Sequence, residues 1–393
     1  MTVADKSAAG RGDAHSETTT VVSDSGVAPA GGGGAPSSVF LDACLRRLTP
    51  YTPVWIMRQA GRYLPEYREL RSRVDFATLT RSAELAAEVT LQPVKRFPLD
   101  AAILFSDIMT PLQGLGVAID FEPGPIIREP IRTRAQIDAL PELFPERDVP
   151  FVLDAIRLVR RAAPREVPLI GFAGAPFTLL CYLVSGRPSK EFGPARAFLY
   201  SQPEAAEALI DRLADAMAVY LAAQAAAGAQ ALMLFESWAG LLGPREFRRF
   251  ALRGARRTLA ALRRALGRDG TSPSGGEAAP DARVPLIYYA NQGSTSFDTI
   301  STLEADVIGV DWRTPLGAAR RALGPLKALQ GNLDPAVLFA PRAELERQID
   351  VVLAEGRYAP SHIFNLGHGI WPDTDPDAVA RMVDYVHEKS VRD

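Results

Sequence analysis

Eight short apolar segments recur between residues 53 and 369, and turn-forming residues bound each of them. Near-continuous apolar runs of this length are typical of strands covered on both faces, as in a parallel sheet. We therefore predict eight strands, at 53–58, 101–107, 168–174, 230–237, 285–292, 307–312, 327–333 and 362–369.

The stretches between these segments carry the three- and four-residue apolar spacing of helices. In one of them, residues 201–204 (SQPE) have the spacing of a capping box and Gly228 provides a stop. Another, 245–266, has leucines and phenylalanines on one stripe and arginines largely on the other. The arginine stripe suits a nucleic-acid patch or a solvated outer helix face, and we favour the solvated face. Asp375 and Pro376 fit the cap and first position of a last helix.

Strands that alternate with helices predict an α/β fold, and eight such units predict a single (β/α)₈ TIM barrel. A doubly wound parallel sheet is the alternative. In a barrel, the C-terminal ends of the strands meet at one face, where the catalytic groups lie. Polar side chains end six of the predicted strands, which indicates one open mouth of the barrel lined by these side chains. They are Arg58, Asp107, Ser237, Asp311, Asn332 and His368.

Two segments differ in composition from the rest of the chain. Residues 1–38 are dominated by Ala, Gly, Ser, Thr and Pro and contain no aromatic residue. Such a segment buries too little apolar surface to offset the entropy of ordering it, so we predict a disordered tail. Residues 268–283 are rich in Gly, Pro and Ser and predict a surface insertion in a barrel domain that spans 39–393.

Residue counts exclude several classes of partner. The 44 Lys and Arg residues nearly balance 46 Asp and Glu, so we expect no global attraction to nucleic acid or anionic lipid. Two cysteines and four histidines give neither a disulfide framework nor a zinc-ligand spacing. The most apolar window, 218–235, is interrupted by polar residues and falls short of the roughly 20 residues of a membrane span. We expect a reduced, metal-free cytosolic protein.

Arginines mark the most distinctive segment, WIMRQAGRYLPEYRELR at 55–71. Arg58 and Arg62 flank a Gln-Ala-Gly stretch, whose glycine lets the backbone turn so that both guanidinium groups face one ligand. Because guanidinium forks match carboxylates and do not deprotonate, the pair suggests a polyanionic substrate. The alternative is two surface arginines paired with Glu66 or Glu69.

Asp107 ends an apolar strand, where a carboxylate carries a large desolvation penalty unless donors or cations surround it. It fits a site that holds a cluster of substrate N–H groups, or a general base. A helix cap or a structural salt bridge is the alternative.

Three further polar side chains follow predicted strands, and each has a structural alternative. Tyr182 offers one hydroxyl in an apolar stretch, where the residues alone favour core packing. Ser237 lacks the glycines of a nucleophile elbow, so its hydroxyl suits binding rather than attack. His368 stands between two glycines, which permit close approach of a ligand and unusual backbone angles, so function is favoured over a core histidine.

Together these segments resemble the uroporphyrinogen decarboxylase family, which converts uroporphyrinogen III to coproporphyrinogen III in haem and chlorophyll biosynthesis. The resemblance implies a (β/α)₈ barrel, a cytoplasmic homodimer, a small-molecule substrate and no metal or organic cofactor. It runs through RQAGRYLPEYR at 58–68, FSDI at 105–108, GFAGAPFTL at 171–179, GVDW at 309–312, QGNLDP at 330–335 and NLGHG at 365–369.

Carried over position by position, the resemblance also implies a set of site residues. This chain departs from the family after the tyrosine, where residues 185–188 read Ser-Gly-Arg-Pro in place of Glu-Gly and further glycines. The departure puts the ligand contacts of that loop in question. The family's substrate loop falls on Arg58, Gln59, Ala60, Gly61 and Arg62, its central aspartate on Asp107, and its tyrosine, serine and histidine on Tyr182, Ser237 and His368.

The implied chemistry agrees with these residue types. Uroporphyrinogen has carboxylates around its edge and pyrrole N–H groups at its centre, so a site needs cations at its rim and an acceptor in its middle. We expect Asp107 to receive the N–H donors and to stabilise a protonated ring. Arg58 is expected to orient the departing carboxylate and to take part in proton delivery, while Tyr182 and His368 position carboxylates or relay protons.

Two alternatives stay open from the sequence. A corrinoid methyltransferase shares the barrel, but such enzymes hold zinc through a His-x-Cys pair and a further Cys, and the chain has no His-x-Cys. A tetrapyrrole-binding protein without turnover would keep the pocket. The joint presence of Arg58, Asp107, Tyr182 and His368 argues against that second alternative.

Overall fold

The computed structural model describes residues 38–120, 124–267 and 283–392. The predicted tail therefore lies outside the described residues except for Ser38, whose hydroxyl accepts a hydrogen bond from the Leu41 N–H and caps the first helix. The predicted insertion lies outside them except for Arg283, which forms an ion pair with Asp306.

Seven parallel strands form one sheet, and each pairs with the next of these strands along the chain. This sequential order is that of a TIM-like α/β fold and excludes the doubly wound alternative, in which the strand order reverses at a switch point. The strands are β1 (Ala102–Ile103), β2 (Ile119–Asp120), β3 (Ile126–Ile127), β4 (Leu169–Gly174), β5 (Ala231–Glu236), β6 (Leu286–Ala290), β7 (Val307–Gly309), β8 (Ala328–Gln330) and β9 (His362–Ile363). The β2–β3 pair is a separate antiparallel hairpin that was not predicted.

The seven strands of the parallel sheet lie inside seven of the eight predicted segments, but the first segment, 53–58, is not a strand. Val54 makes only an isolated parallel bridge to Phe364. Beyond this bridge, the Ile56 N–H donates to Gln59 Oε1 at 3.0 Å and the Met57 N–H donates to Asn365 Oδ1 at 2.9 Å. Side-chain acceptors therefore take the place of a neighbouring strand, which apolar patterning does not reveal.

Helices separate the strands of the parallel sheet, as the apolar spacing predicts. Short 3₁₀ turns cover Ala239–Leu241, Ser294–Ser296 and Pro335–Phe339, and a π-helical turn covers Phe247–Ala251. The α-helices are α1 (Val39–Cys44), α2 (Pro65–Arg73), α3 (Phe76–Arg81), α4 (Ala83–Arg96), α5 (Thr110–Gly114), α6 (Arg134–Asp138), α7 (Pro145–Asp148), α8 (Pro150–Ala162), α9 (Pro176–Ser185), α10 (Gly193–Ser201), α11 (Pro203–Ala227), α12 (Pro244–Glu246), α13 (Leu252–Ala265), α14 (Phe297–Ile300), α15 (Leu316–Leu323), α16 (Arg342–Gly356) and α17 (Pro376–Lys389).

The helix boundaries agree with the sequence at two places and differ at one. Helix α11 stops at Gly228, which has a φ of 120° that favours glycine. Asp375 caps α17 by accepting from the Asp377 N–H at 2.9 Å. The predicted capping box is wrong, because Ser201 ends α10 and the N-cap of α11 is Gln202, which makes no side-chain cap.

Burial of the strands explains their continuous apolar composition. Every residue of β4, β5 and β6 is buried, since helices cover the outside of the sheet and side chains from its other strands cover the inside. The loops that follow β1, β5, β6 and β9 lie at the same end of the sheet, together with α9, and supply the walls of one cavity. In the described part of the chain, no helix is long and apolar enough to cross a membrane.

Candidate active site

A cavity of about 1250 Å³ lies at the C-terminal ends of the parallel strands. Small-molecule sites typically enclose roughly 300–1,000 Å³, so this one admits a ligand as large as a macrocycle. Eight of the nine predicted site residues line it, and Gln59 is the exception. The polar and charged residues among the lining are Arg58, Arg62, Tyr63, Tyr67, Arg71, Ser106, Asp107, Tyr182, Ser237, Tyr289, Asn291 and His368.

Gln59 holds the arginine loop in place rather than facing the cavity. Its side chain is fully buried. The amide oxygen accepts from the Ile56 N–H at 3.0 Å, and the amide nitrogen donates to the Ala101 carbonyl at 3.1 Å. Both ends of the amide are thus used inside the protein, where they tie the arginine loop to the segment before β1.

The turn of the arginine loop is made by Arg58 rather than by Gly61. Arg58 has a φ of 64°, in the left-handed region that residues with a side chain rarely adopt. Gly61 has no positive φ, and a Cβ there would lie 3.3 Å from the Arg58 carbonyl oxygen. The backbone strain, on the order of 1 kcal/mol, therefore falls on the residue whose guanidinium lines the cavity.

The glycines beside His368 make room for other parts of the protein. A Cβ on Gly369 would lie 2.4 Å from Cδ of Arg58, and a Cβ on Gly367 would lie 2.3 Å from the backbone nitrogen of Trp312. Neither glycine has a positive φ. The prediction of unusual backbone angles here is wrong, and Gly369 instead leaves the space that the Arg58 side chain occupies.

The alternative in which the loop arginines pair with nearby glutamates is wrong. Glu66 binds Arg96 through two hydrogen bonds, at 2.8 and 3.0 Å. Glu69 pairs with Arg73 at 2.5 Å. Within the described residues Arg58 and Arg62 form no ion pair, so both cations are available to a ligand.

Asp107 lines the cavity and also makes a hydrogen bond within the protein. Its Oδ1 accepts from the Met109 N–H at 2.7 Å, which holds the chain just before α5. Its Oδ2 makes no hydrogen bond or ion pair with any described residue, and the side chain is half-buried at the cavity wall. Burial raises the pKa of Asp107, and the Met109 N–H and the charge of Arg58 oppose the rise. The helix-cap alternative thus accounts for one oxygen only.

Tyr182 lies on α9, half-buried, with its ring packed edge-on against Phe192 at 5.3 Å and Trp238 at 6.3 Å between centroids. The side chain therefore belongs to an aromatic cluster and also lines the cavity. Burial raises the pKa of Tyr182, and the charge of Asp107 adds to the rise. The hydroxyl consequently keeps its proton and can donate a hydrogen bond at neutral pH.

Two other predicted residues face the cavity from the ends of β5 and β9. Ser237 lines it, and its carbonyl accepts from the side-chain amide of Asn291 at 3.2 Å. His368 is half-buried near Trp312. Burial and the positive charge of Arg58 lower the pKa of His368, so its imidazole is neutral at neutral pH.

The loop that departs from the family pattern does not reach the cavity. Gly186 ends α9 with a φ of 79°, and its carbonyl accepts from the Ile127 N–H at 2.7 Å. A Cβ on Gly186 would lie 2.8 Å from Pro130. None of residues 185–188 lines the cavity, and Gly186 instead lies against the β2–β3 pair.

Arg71, Tyr289 and Asn291 are among the cavity residues that were not predicted. Arg71, on α2, belongs to the arginine-rich segment that was singled out, and its distance from Arg58 along the chain concealed it. Tyr289 lies one residue before the end of β6, and its hydroxyl donates to the Gly367 carbonyl at 2.9 Å. Asn291 follows that strand directly, so the rule that polar residues at strand ends line the mouth would have found it.

The same rule fails for Asp311 and Asn332, which end predicted strands but do not line the cavity. The Asp311 carboxylate accepts from the Gln292 N–H at 2.7 Å and the Arg313 N–H at 2.9 Å. The Asn332 amide donates to the Asp311 carbonyl at 2.9 Å. Both side chains therefore hold loops near the cavity by hydrogen bonds to their backbone, without lining the cavity themselves.

The cavity is cationic at its wall and apolar inside. Three arginines face one carboxylate there, because Asp107 is the sole acidic residue among the described residues that line it. Phe172, Phe235 and Tyr289 form an edge-to-face series with centroids 5.6 and 6.1 Å apart. Such a site suits a flat apolar ligand that carries several negative charges. In the described ranges, no group of three His, Cys, Asp or Glu side chains is placed to hold a metal ion.

Known proteins were compared with the chain. The family model described as uroporphyrinogen decarboxylase matches residues 35–389. The uroporphyrinogen decarboxylase of Syntrophotalea carbinolica is 47% identical over 348 residues, 88% of this chain and 96% of that protein. The uroporphyrinogen decarboxylase of Geobacter sulfurreducens is 44% identical over 351 residues, 89% of this chain and 98% of that protein.

Solved structures add a comparison of the fold alone. A methyltransferase from Methanosarcina mazei superposes with a TM-score of 0.72 at 18% sequence identity, over 89% of this chain and 98% of that one. The family model and these relatives, by contrast, match most of the chain, and the relatives do so at 44% and 47% identity. The chain belongs to the uroporphyrinogen decarboxylase family.

Proposed function

We propose that the chain decarboxylates uroporphyrinogen III to coproporphyrinogen III, as a carboxy-lyase of porphyrin biosynthesis. Family membership and the names of the curated relatives support this activity. A single observation carries the assignment to particular residues. Oδ2 of Asp107 has no partner among the described residues, and the other charged groups of the described cavity lining are Arg58, Arg62 and Arg71.

The substrate and the cavity are complementary in shape and charge. The macrocycle is flat and apolar in its middle, which suits the aromatic series that Phe172, Phe235 and Tyr289 form. Its propionate and acetate carboxylates suit Arg58, Arg62 and Arg71. Its pyrrole N–H groups need an acceptor, and we assign that role to Oδ2 of Asp107.

The reaction needs an electron sink for the pair that is left when CO₂ departs. A proton added to a ring carbon makes the pyrrole cationic, and the C–C bond to the carboxylate then breaks with its electrons moving into the ring. The resulting methylene carbon takes a proton and becomes a methyl group, and the ring carbon loses its extra proton. Each arm thus consumes one proton and releases one CO₂, with the substrate itself as the sink.

The site residues act on this cationic ring. Asp107 lowers its energy by facing it with a carboxylate in a site of low dielectric constant. Arg58 orients the departing carboxylate and takes part in delivering the proton. Tyr182, which keeps its proton, donates to a substrate carboxylate, and the neutral His368 positions carboxylates or relays protons. Ser237 and the loop residues Ala60, Gly61 and Arg62 complete the substrate-binding surface.

The proposal extends to the finer architecture and the assembly. Two contacts support the segment around Val54 as the eighth strand position, which would close the sheet into a (β/α)₈ barrel. They are the bridge from Val54 to Phe364 and the hydrogen bond from the Asp100 N–H to the Val54 carbonyl, at 2.9 Å. A homodimer and a cytoplasmic location are part of the proposal on the family resemblance. Sedimentation of the purified chain at micromolar concentration tests the dimer, and a single monomeric boundary would contradict it.

The direct test of function is incubation with reduced uroporphyrinogen III under exclusion of oxygen. Chromatography of the oxidised products is expected to show coproporphyrin III, with four molecules of CO₂ released per macrocycle. Binding of the macrocycle with no CO₂ release would favour the carrier alternative and contradict the proposed function.

A further inference from the structure

A second groove, of about 630 Å³, lies along α13 on the outside of the fold. None of its residues lines the active-site cavity. It is lined by Asp211, Asp215, Arg248, Arg249, Arg253, Arg256, Arg257, Ala260 and Arg264, which we call the arginine groove.

Part of the arginine groove is an ion-pair ladder between α11 and α13. Arg253 binds Asp211 through two hydrogen bonds, at 2.8 and 2.7 Å, and Arg257 binds Asp215 in the same way, at 2.6 and 2.7 Å. Glu207 pairs with Arg249 at 2.6 Å. Exposed ion pairs of this kind contribute little stability, but bidentate hydrogen bonding fixes the position of the guanidinium groups of Arg253 and Arg257. The favoured prediction of a solvated outer helix face is confirmed for this ladder.

The ladder leaves an excess of positive charge. Six arginines line the groove, and the ladder supplies three carboxylates. Arg248, Arg256 and Arg264 are exposed and have no carboxylate partner within the described residues, although Arg256 donates to the hydroxyl of Thr302 at 3.0 Å. At 1.5 Å per helical residue, Arg248 and Arg264 are about 24 Å apart along the helix. The excess is thus spread over the length of the groove, in a protein whose net charge is −2.

We propose that the arginine groove binds an elongated phosphate polyanion of the inorganic polyphosphate type. Guanidinium groups bind phosphate oxygens in pairs, and a chain of phosphates presents such oxygens at every step. Among the described residues that line it, the groove has no aromatic and no amide side chain, so it lacks the rings and amides on which nucleic-acid bases most often stack or are read. The one apolar residue among this described lining is Ala260, which is too small to cover the face of a tetrapyrrole.

The test is titration of the full chain with inorganic polyphosphate, in parallel with single-stranded DNA of equal total charge. Wild-type protein is compared with the triple variant Arg248→Gln, Arg256→Gln, Arg264→Gln. The matched control is Arg161→Gln, Arg357→Gln, Arg381→Gln, which removes three exposed arginines from other helices. Both variants keep the active-site cations, so polyphosphate that bound in the cavity would bind both variants as it binds wild type.

The groove variant is expected to bind polyphosphate roughly tenfold more weakly than wild type at low salt, while the control binds as wild type does. The slope of log K against log salt is expected to become shallower by about two units in the groove variant alone. Decarboxylation of uroporphyrinogen is expected to be unchanged in both. Equal losses in the two variants, or no loss in either, would overturn the proposal. Tighter binding of the DNA than of polyphosphate would overturn it in favour of nucleic acid.

Discussion

Gly369→Ala tests whether the placement of Arg58 matters for turnover, without changing any charged group. The new methyl group would lie 2.4 Å from Cδ, 2.8 Å from Cγ and 2.9 Å from Nε of Arg58. Carbon atoms in contact are about 3.5–4.0 Å apart, so the Arg58 side chain must move by about 1 Å or more. The Arg58 backbone is already left-handed, so the side chain rather than the backbone is expected to give way.

A displacement of that size at a positioning group costs about 10²-fold in rate, or roughly 2.7 kcal/mol in the activation free energy. We expect kcat/KM for uroporphyrinogen III to fall by about this factor in anaerobic initial-rate assays. The free energy of unfolding is expected to change by no more than about 1 kcal/mol, because the atoms that must move belong to a side chain at the cavity wall.

Gly193→Ala is the matched control, since a Cβ there meets no heavy atom within 4 Å and the residue has no positive φ. It is expected to keep wild-type rates. In a double-mutant cycle, Gly369→Ala should add little to the loss caused by Arg58→Gln, because both act through one side chain. Wild-type kcat/KM in a folded Gly369→Ala variant, or full additivity in the cycle, would refute the reasoning.

Three further predictions concern stability and binding. Glu236 is fully buried, and burial raises its pKa from the ordinary 4.5 to about 8, so the folded protein keeps a proton that the unfolded chain has lost. The free energy of unfolding should therefore fall as pH rises from about 4.5 to 8, and Glu236→Gln should remove that fall. Above pH 8 the variant should be more stable than wild type by on the order of 5 kcal/mol in urea titrations. Parallel curves of stability against pH for the two proteins would contradict this. Gln59→Ala should lower the free energy of unfolding by about 2–4 kcal/mol, because it leaves the buried Ile56 N–H and the Ala101 carbonyl without the hydrogen bonds that Gln59 makes to them. A loss below about 1 kcal/mol would contradict the anchoring role of Gln59. Arg71→Gln should raise KM about tenfold with kcat nearly unchanged, and an unchanged KM would remove Arg71 from the substrate contacts.

The parallel strands were predictable because burial on both faces leaves a direct trace in composition. Strands β4, β5 and β6 are buried at every residue, and the apolar runs at 168–174, 230–237 and 285–292 enclose them. The segment at 53–58 has the same composition but no ladder. Its backbone donors are bound by side chains such as Gln59, and composition does not record that choice.

Most of the candidate site was predictable because polar residues at strand ends of a TIM-like fold meet at one face. Asp107, Ser237 and His368 follow this rule. Asp311 ends its strand in the same way but turns to the backbone of the next loops. A carboxylate at a strand end either lines the cavity or binds loop backbone. The outcome depends on the backbone N–H groups that distant loops bring to it, and no local sequence pattern encodes them. Arg71 was missed because it lies on α2 rather than at a strand end, so the rule does not include it.

The central claim is that one carboxylate, Asp107, lowers the energy of a cationic pyrrole at the middle of the site. The measurement that tests it most directly is the single-turnover rate of CO₂ release from uroporphyrinogen III by Asp107→Asn under anaerobic conditions, with the macrocycle's dissociation constant measured alongside. We predict a rate lower by about 10²–10³ in a variant that still folds and binds the macrocycle. A wild-type rate in Asp107→Asn would contradict the account.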